Sequence, residues 1–438
     1  MSLQVHAWRA TTSPANNATN YISPINGQVF TATILFGSCY VCAAGTFSNW
    51  QIVLPSAPAS GKSLAFTLVL NGSDTAAVIT IANTATVGTY TGAAIALADG
   101  DKITFKCVPS GTPTVSSPIV SWSFNGTTAG QSIYGSGGVN GNITTTRTSN
   151  LLNRPDISNF QAAGLEVVAC AGIISKITGE VSADSGATGS WTYTVSKNGT
   201  PQDGTGGTPD TRLIFNNTGV VKSATFSMSV SPGDYFTWTG APTGTPVAHH
   251  LSNGILFTAT TAGESHYGGV PALVLSASAT QYLATGNGSN TTTPTVEATG
   301  QVNIGLVPFK LKDLYVKTQL GVGVGAAVGY AWNVKLGGNT TALTASTLNN
   351  ATAANDTSGN VTYAAQDLID LEVVPANTPT VRFPSWATVQ VQIGGGKNAG
   401  GSGNNGKKGG GGGLNVLNPG GASFIQIGNP GIDVGITS

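Results

Sequence analysis

The chain has 438 residues, zero formal net charge and only 8% charged residues, against roughly 25% in an ordinary soluble protein. Neutrality excludes the electrostatic attraction on which binding to nucleic acid or an anionic membrane mostly rests. A hydrophobic content of 40% excludes wholesale disorder, and the length alone suggests about three domains.

The N-terminal stretch "MSLQVHAWRATTSPANN" has neither a basic start nor an apolar run, so no secretory signal is expected, nor is a membrane span. Next come Cys39 and Cys42 in "CYVC", with Cys107 and Cys170 further on. No second close pair accompanies them, and a zinc site needs about four ligands. Residues three apart on a strand point to opposite faces, so buried free thiols are expected.

Strand patterns then fill the chain, and helical periodicity is nearly absent. "SLAFTLVLNG" (63–72) alternates and ends on Asn71-Gly72, with Phe66 five residues before the turn. "WTYTVSKNG" (191–199) repeats this with Tyr193 and Asn198-Gly199, and "AWNVKLGG" (331–338) with Trp332 and Gly337-Gly338. Such dipeptides supply the positive φ angles that a two-residue hairpin requires.

Downstream of each hairpin, "GDKITFKCVPSGTPT" (100–114) returns as "GDYFTWTGAPTGTPV" from Gly233 and "QDLIDLEVVPANTPT" from Gln366. Asp101, Asp234 and Asp367 are in register with Pro113, Pro246 and Pro379, both series advancing by 133 residues. Two landmarks kept in phase over that distance are an internal repeat. An acid/base catalyst is seldom needed three times but a turn is, so these Asp residues are read as caps on local backbone N–H groups.

The joints repeat too: "FNGTTAGQSIYG" starts at Phe124 and "FTATTAGESHYG" at Phe257. Projected backwards, this linker falls on Met1, so the first unit is expected to lack it. The resulting division is 1–126, 127–259 and 260–393 for three repeats, followed by a different segment, 394–438. That segment holds twelve glycines in 394–413 and regains apolar residues in "FIQI". It reads as a Gly-rich linker followed by an attachment or oligomerisation element.

The fold class expected is all-β: three tandem β-sandwiches in a row, jelly-roll-like, plus the Gly-rich C-terminal tail. Units of 133 residues suit eight or more strands, whereas the alternative, an immunoglobulin-like sandwich, has seven in about 100.

Catalytic motifs are not found: the sequence has no G-x-S-x-G elbow, phosphate loop or dinucleotide fingerprint. His249, His250, Glu264 and His266 form the one conceivable metal set, but nothing in their spacing demands a site. No metal and no cofactor are therefore expected. Seven tryptophans could stack on sugar rings, yet Trp122, Trp191 and Trp332 lie in clear strand patterns, and a core role is expected for all. A Thr/Asn-rich surface with few titrating groups suggests a stability that changes little with pH.

Asn71-Gly72, Gly100-Asp101 and "SGTPT", with Asn198-Gly199, Gly233-Asp234 and "TGTPV", resemble the β-sandwich modules of tailed-bacteriophage structural proteins. The third unit departs, with Gly337-Gly338 and Gln366-Asp367. The resemblance implies a non-enzymatic virion surface component of tail-fibre, spike or capsid-decoration type. Its implied partners are other virion proteins and further copies of itself, trimers foremost, with a host-surface glycan as a further ligand. It carries over no catalytic or binding residue. The other readings are a glycan- or receptor-binding adhesin of the tail and a bacterial extracellular surface or filament protein.

Overall fold

A computed structural model describes residues 2–25, 27, 29–137, 143–149, 151, 165–216, 219–269, 274–283 and 295–393. The expected attachment segment, 394–438, lies outside the described residues. Residues 1–394 form one compact unit.

Six antiparallel sheets are present among the described residues, and they pair face to face over three clusters of buried side chains. In the first pair, one sheet runs Ser2–Arg9, Ile119–Gly126, Gly45–Val53, Val87–Thr89. Its mate runs Asn20–Ile22, Lys102–Ser110, Ala59–Leu70, Ser73–Asn83. Numbering these eight strands along the chain gives the orders 1-8-3-6 and 2-7-4-5.

The second pair repeats that order. Gln131–Ser136, Leu251–Ala259, Gly172–Val181 and Val221–Val230 face Arg147–Ser149, Tyr235–Gly244, Gly189–Lys197 and Thr200–Pro201. So does the third: Glu264–Gly269, Pro384–Gln392, Phe309–Thr318 and Ala353–Tyr363 face Gln281–Leu283, Leu368–Ala376, Gly329–Leu336 and Asn339–Leu348. Eight strands interleaved between two sheets in this way are a jelly roll, not an immunoglobulin-like sandwich.

Alternation dictates the cores. In Ala59–Leu70, Leu64, Phe66 and Leu68 point inward and are at most 1% exposed, as period-two geometry requires. All seven tryptophans are likewise at most 1% exposed. At roughly 25 cal/mol per Å² of apolar surface removed from water, such aromatics dominate each core. The four cysteines are free and buried, and burial pushes the Cys39 and Cys107 thiols up to about 12.

Two expectations are corrected. The segment read as a linker is the first strand of its sheet: Gln131–Ser136 pairs with Leu251–Ala259, and Glu264–Gly269 with Pro384–Gln392. The first unit does not lack it, because Ser2–Arg9 pairs in the same way with Ile119–Gly126. Its residues differ from "QSIYG", so the likeness lies in the pairing rather than the letters. Nor do the sheet pairs stand in a simple row, because the first also touches the third: the Leu3 N–H donates to Gln392 Oε1 at 3.3 Å.

Candidate assembly site

The repeated turn residues come together at three corners. Asn71 (φ 51°) and Gly72 (φ 83°) make the hairpin, and Asn198 and Gly199 match them at 51° and 81°. Asn71 Nδ2 donates to Asp101 Oδ1 at 2.7 Å, and its Oδ1 accepts from the Lys102 N–H at 2.8 Å. Asn198 does the same with Asp234 (2.6 Å) and the Tyr235 N–H (3.0 Å). The other carboxylate oxygen accepts the N–H of Ala98, Ser231 or Ala364 three residues upstream of Asp101, Asp234 and Asp367, at 2.6–2.8 Å.

Burial pushes the Asp234 carboxyl up, but hydrogen bonds from the Ser231 N–H, Asn198 and Lys197 outweigh it and hold the group below its usual value. At the third corner Gly337 (φ 55°) stands where the other two have Asn, so Asp367 has no such clamp. Pro113, Pro246 and Pro379 lie in the matching loops. The residue after each donates its N–H to the loop joining the third and fourth strands of its repeat, Thr114 to Pro58, Val247 to Ser185 and Thr380 to Val322, at 2.8–2.9 Å. At the first corner a crevice of about 350 Å³ has a mixed lining that includes Ile34, Tyr40, Asn71, Gly100, Lys102 and Thr104.

The candidate metal set does not assemble. His249 Nε2 hydrogen-bonds the Tyr193 hydroxyl at 2.7 Å, and the His250 ring lies 3.9 Å from that of Phe36. Glu264 pairs with Lys312 at 2.7 Å, and His266 lies 3.9 Å from Glu166. Among the described residues no group of three or more His, Cys, Asp or Glu could hold a metal ion.

What the structure does bring together is the first strand of each repeat. Ser2–Arg9 lies against Gln131–Ser136, and Gln131–Ser136 against Glu264–Gly269; Pro384–Gln392, which pairs with Glu264–Gly269, lies against Ser2–Arg9. Each first strand is the edge of its sheet, with backbone groups that need partners. Val5, Ile133 and His266 hold equivalent places, opposite Ser123, Leu256 and Val389, which are 133 residues apart.

All three places are capped from a neighbouring repeat. Gln390 accepts from the Val5 N–H (2.9 Å) and donates to the Val5 carbonyl (3.3 Å). Gln4 accepts from the Ile133 N–H (2.8 Å) and donates to the Ile133 carbonyl (3.1 Å). Tyr134 donates its hydroxyl to the His266 carbonyl at 2.8 Å.

Apolar residues cross the same junctions. Val5 and Ala7 pack in the third cluster, Ile133 in the first, and Ala387 with Val389 in the second. A second set of contacts runs in the same sense: Cys39–Tyr40 meets Leu251–Ala259, Glu166–Val167 meets Pro384–Gln392, and Val302–Asn303 meets Ile119–Gly126. Small residues permit the approach. Ser121, Gly254 and Ala387 are equivalent, opposite Ala7, Gly135 and Gly268. A side chain at Gly254 would strike the Tyr40 carbonyl, and one at Gly305 would strike Ser121.

Ion pairs trim these junctions. Lys102 and the Tyr40 hydroxyl both engage Glu180, at 2.6 and 3.1 Å, and Lys176 pairs with Asp99 at 2.6 Å. Lys317 lies 4.4 Å from the ring centre of Tyr235, and Arg9 donates to the carbonyls of Ala298 and Thr299 at 3.0 Å.

The interior also holds titratable groups displaced from their ordinary values. Burial lowers His6 and His266 to about 3 and His249 to about 4. Asp370, 0% exposed, is raised to about 7 by burial and by the charge of Glu297, against the pull of Lys335.

Sequence reasoning passed over Gln4, Tyr134 and Gln390. The one signal was polar side chains alternating with apolar ones inside predicted core strands, as in "ATVQVQI".

No family model and no curated protein matches the chain. Among solved structures it is similar to a chain of the cryo-EM structure of broad bean stain virus, at 11% identity and a TM-score of 0.18, covering 59% of this chain and 88% of that one. It is similar to PNGF-II at 10% identity and a TM-score of 0.19, covering 80% and 99%. The infectious bursal disease virus VP2 subviral particle gives 9% identity and a TM-score of 0.15, covering 90% and 81%. At these TM-scores the likenesses carry no argument.

Proposed function

We propose that the chain is a non-enzymatic structural protein of a tailed-bacteriophage virion, displayed on the particle surface as a fibre, spike or capsid decoration, with residues 1–126, 127–259 and 260–393 as three tandem domains. The observation that carries this reading is what the repeat repeats. Its recurring positions are turns, caps and core aromatics, so the chain multiplies architecture rather than chemistry. Jelly rolls occur in viral capsids, lectins and cupins, and fold alone does not choose among these. Support for the virion comes from the resemblance of the turn motifs and from the neutral, Thr/Asn-rich surface, which offers little salt-dependent attraction to passing bodies.

Other virion proteins are its partners in this reading, and 394–438 attaches it to the particle. The seven tryptophans that could have stacked on sugars are buried, which weighs against the adhesin reading. Mass spectrometry and immunogold microscopy of purified particles test the proposal. The chain should be found at fixed copy number on the outside. Its absence from particles, with recovery from the medium, overturns the reading in favour of a secreted surface protein; saturable binding on a glycan array restores the adhesin.

A further inference from the structure

We infer that residues 2–393 form a trimer of repeats closed within one polypeptide, and that the chain meets its partner as a single copy seated on a threefold axis. The partner clause rests on the virion reading; the closure does not. A head-to-tail interface produces a ring if its rotation closes, and an open filament if it does not. Here the same contact is made three times in one sense, first repeat on second, second on third, and third on first.

Closure is visible in the backbone caps as well. The N–H and C=O groups of Val5 and Ile133 are satisfied by Gln390 and Gln4, and the carbonyl of His266 by Tyr134. Each cap comes from the repeat that shares the junction, so at these positions the first-strand edge is already engaged within the chain. The apolar exchange is equally complete, since every cluster takes in residues of another repeat. A chain arranged in this way has already used the surfaces with which separate repeats would trimerise. The homotrimer implied by the family resemblance is thus met inside the chain.

The kind of partner follows from the arrangement. Three corresponding corners, at Asn71 and Asp101, Asn198 and Asp234, and Gly337 and Asp367, recur at matching places in the three repeats of one compact unit, the third without the Asn–Asp clamp. A protein surface with threefold symmetry can engage three such features together, and the second and third contacts then form at high effective concentration. A partner of twofold symmetry could match only one.

Three measurements on the full-length chain test this. Light scattering on the eluting protein should give the mass of one chain, 44.0 kDa, over a hundredfold dilution; a stable three-chain species overturns the inference. In a Leu3→Cys/Gln392→Cys variant, a short bismaleimide should link the two positions within one chain, since their parent residues are in hydrogen-bond contact and the four native thiols are buried. Links found only between chains overturn closure. An Arg9→Cys/Ala298→Cys variant, should the first fail to fold, applies the same intrachain-or-interchain criterion at a second contact between the same two repeats. On particles, averaged cryo-EM density should show one three-lobed chain per threefold axis, and three chains around the axis overturn the partner clause. Particles without the chain sink the virion reading, while the solution mass and cross-links still decide closure.

Discussion

Gln390 holds both backbone groups of Val5, a residue 385 positions earlier: its Oε1 is 2.9 Å from the Val5 nitrogen and its Nε2 3.3 Å from the Val5 oxygen. Both residues are buried, so water cannot replace the side chain at low cost. Gln390→Ala should destabilise the protein by about 1–3 kcal/mol, because a buried donor and acceptor are left unpaired. Urea unfolding measures this, and a change within about 0.5 kcal/mol, the range of an ordinary surface substitution, would show the contact to be incidental.

Gly337→Asn should stabilise. The backbone there is already at φ 55°, close to the 51° of Asn71 and Asn198, and a Cβ meets nothing within 4 Å. Asparagine tolerates this conformation and would supply the clamp onto Asp367 that the other corners have. A gain of about 1 kcal/mol is expected, a typical net hydrogen bond together with the lower backbone entropy of a non-glycine residue in the unfolded chain. A lower melting temperature would refute the corner equivalence.

Gly254→Ala tests the junction between the first and second repeats. The added methyl meets the Tyr40 carbonyl, and overpacking of this kind costs about 1–3 kcal/mol. Gly263→Ala, where a Cβ meets nothing but φ is 84°, separates steric from conformational cost. The Gly254 variant should also weaken the protection of Tyr40 against hydrogen exchange, and unchanged exchange would contradict the contact.

Two opposed pH dependences should overlap below neutrality. The three buried histidines are neutral when folded and regain their ordinary value near 6.5 when unfolded. Between pH 6.5 and about 4 the unfolded chain therefore binds more protons, and stability drops as pH falls, by roughly 1–3 kcal/mol per histidine at pH 4.5. Asp370 acts oppositely: with a folded value of about 7, it keeps its proton when folded and releases it when unfolded. Its contribution is therefore lost as pH rises from about 4 to about 7. Asp370→Asn should raise stability at pH 8 more than at pH 5, and denaturant midpoints at the two values decide it.

Much of each sandwich was legible because its determinants are local. Asn71-Gly72 and Asn198-Gly199 specify a hairpin within two residues, and Asp101, Asp234 and Asp367 cap N–H groups three residues away. Jelly-roll length and alternation followed from the same reading. The junctions were not legible. Val5 and Gln390 are almost the whole chain apart, and nothing in "LQVHAW" spells its kinship with "QSIYG", because the kinship is one of pairing partners. The surroundings of the histidines were not legible either: His249, His250 and His266 are close in the chain, but each lies against a different neighbour.

One feature of the junctions bears on how such a chain can vary. In an assembly of three identical subunits, any substitution is imposed on all three contacts at once, and a harmful one is felt three times. Here glutamine caps two of the equivalent backbone sites, from non-equivalent positions, and tyrosine caps the third. Each junction can therefore drift, specialise or take on a load of its own while the other two keep the body shut.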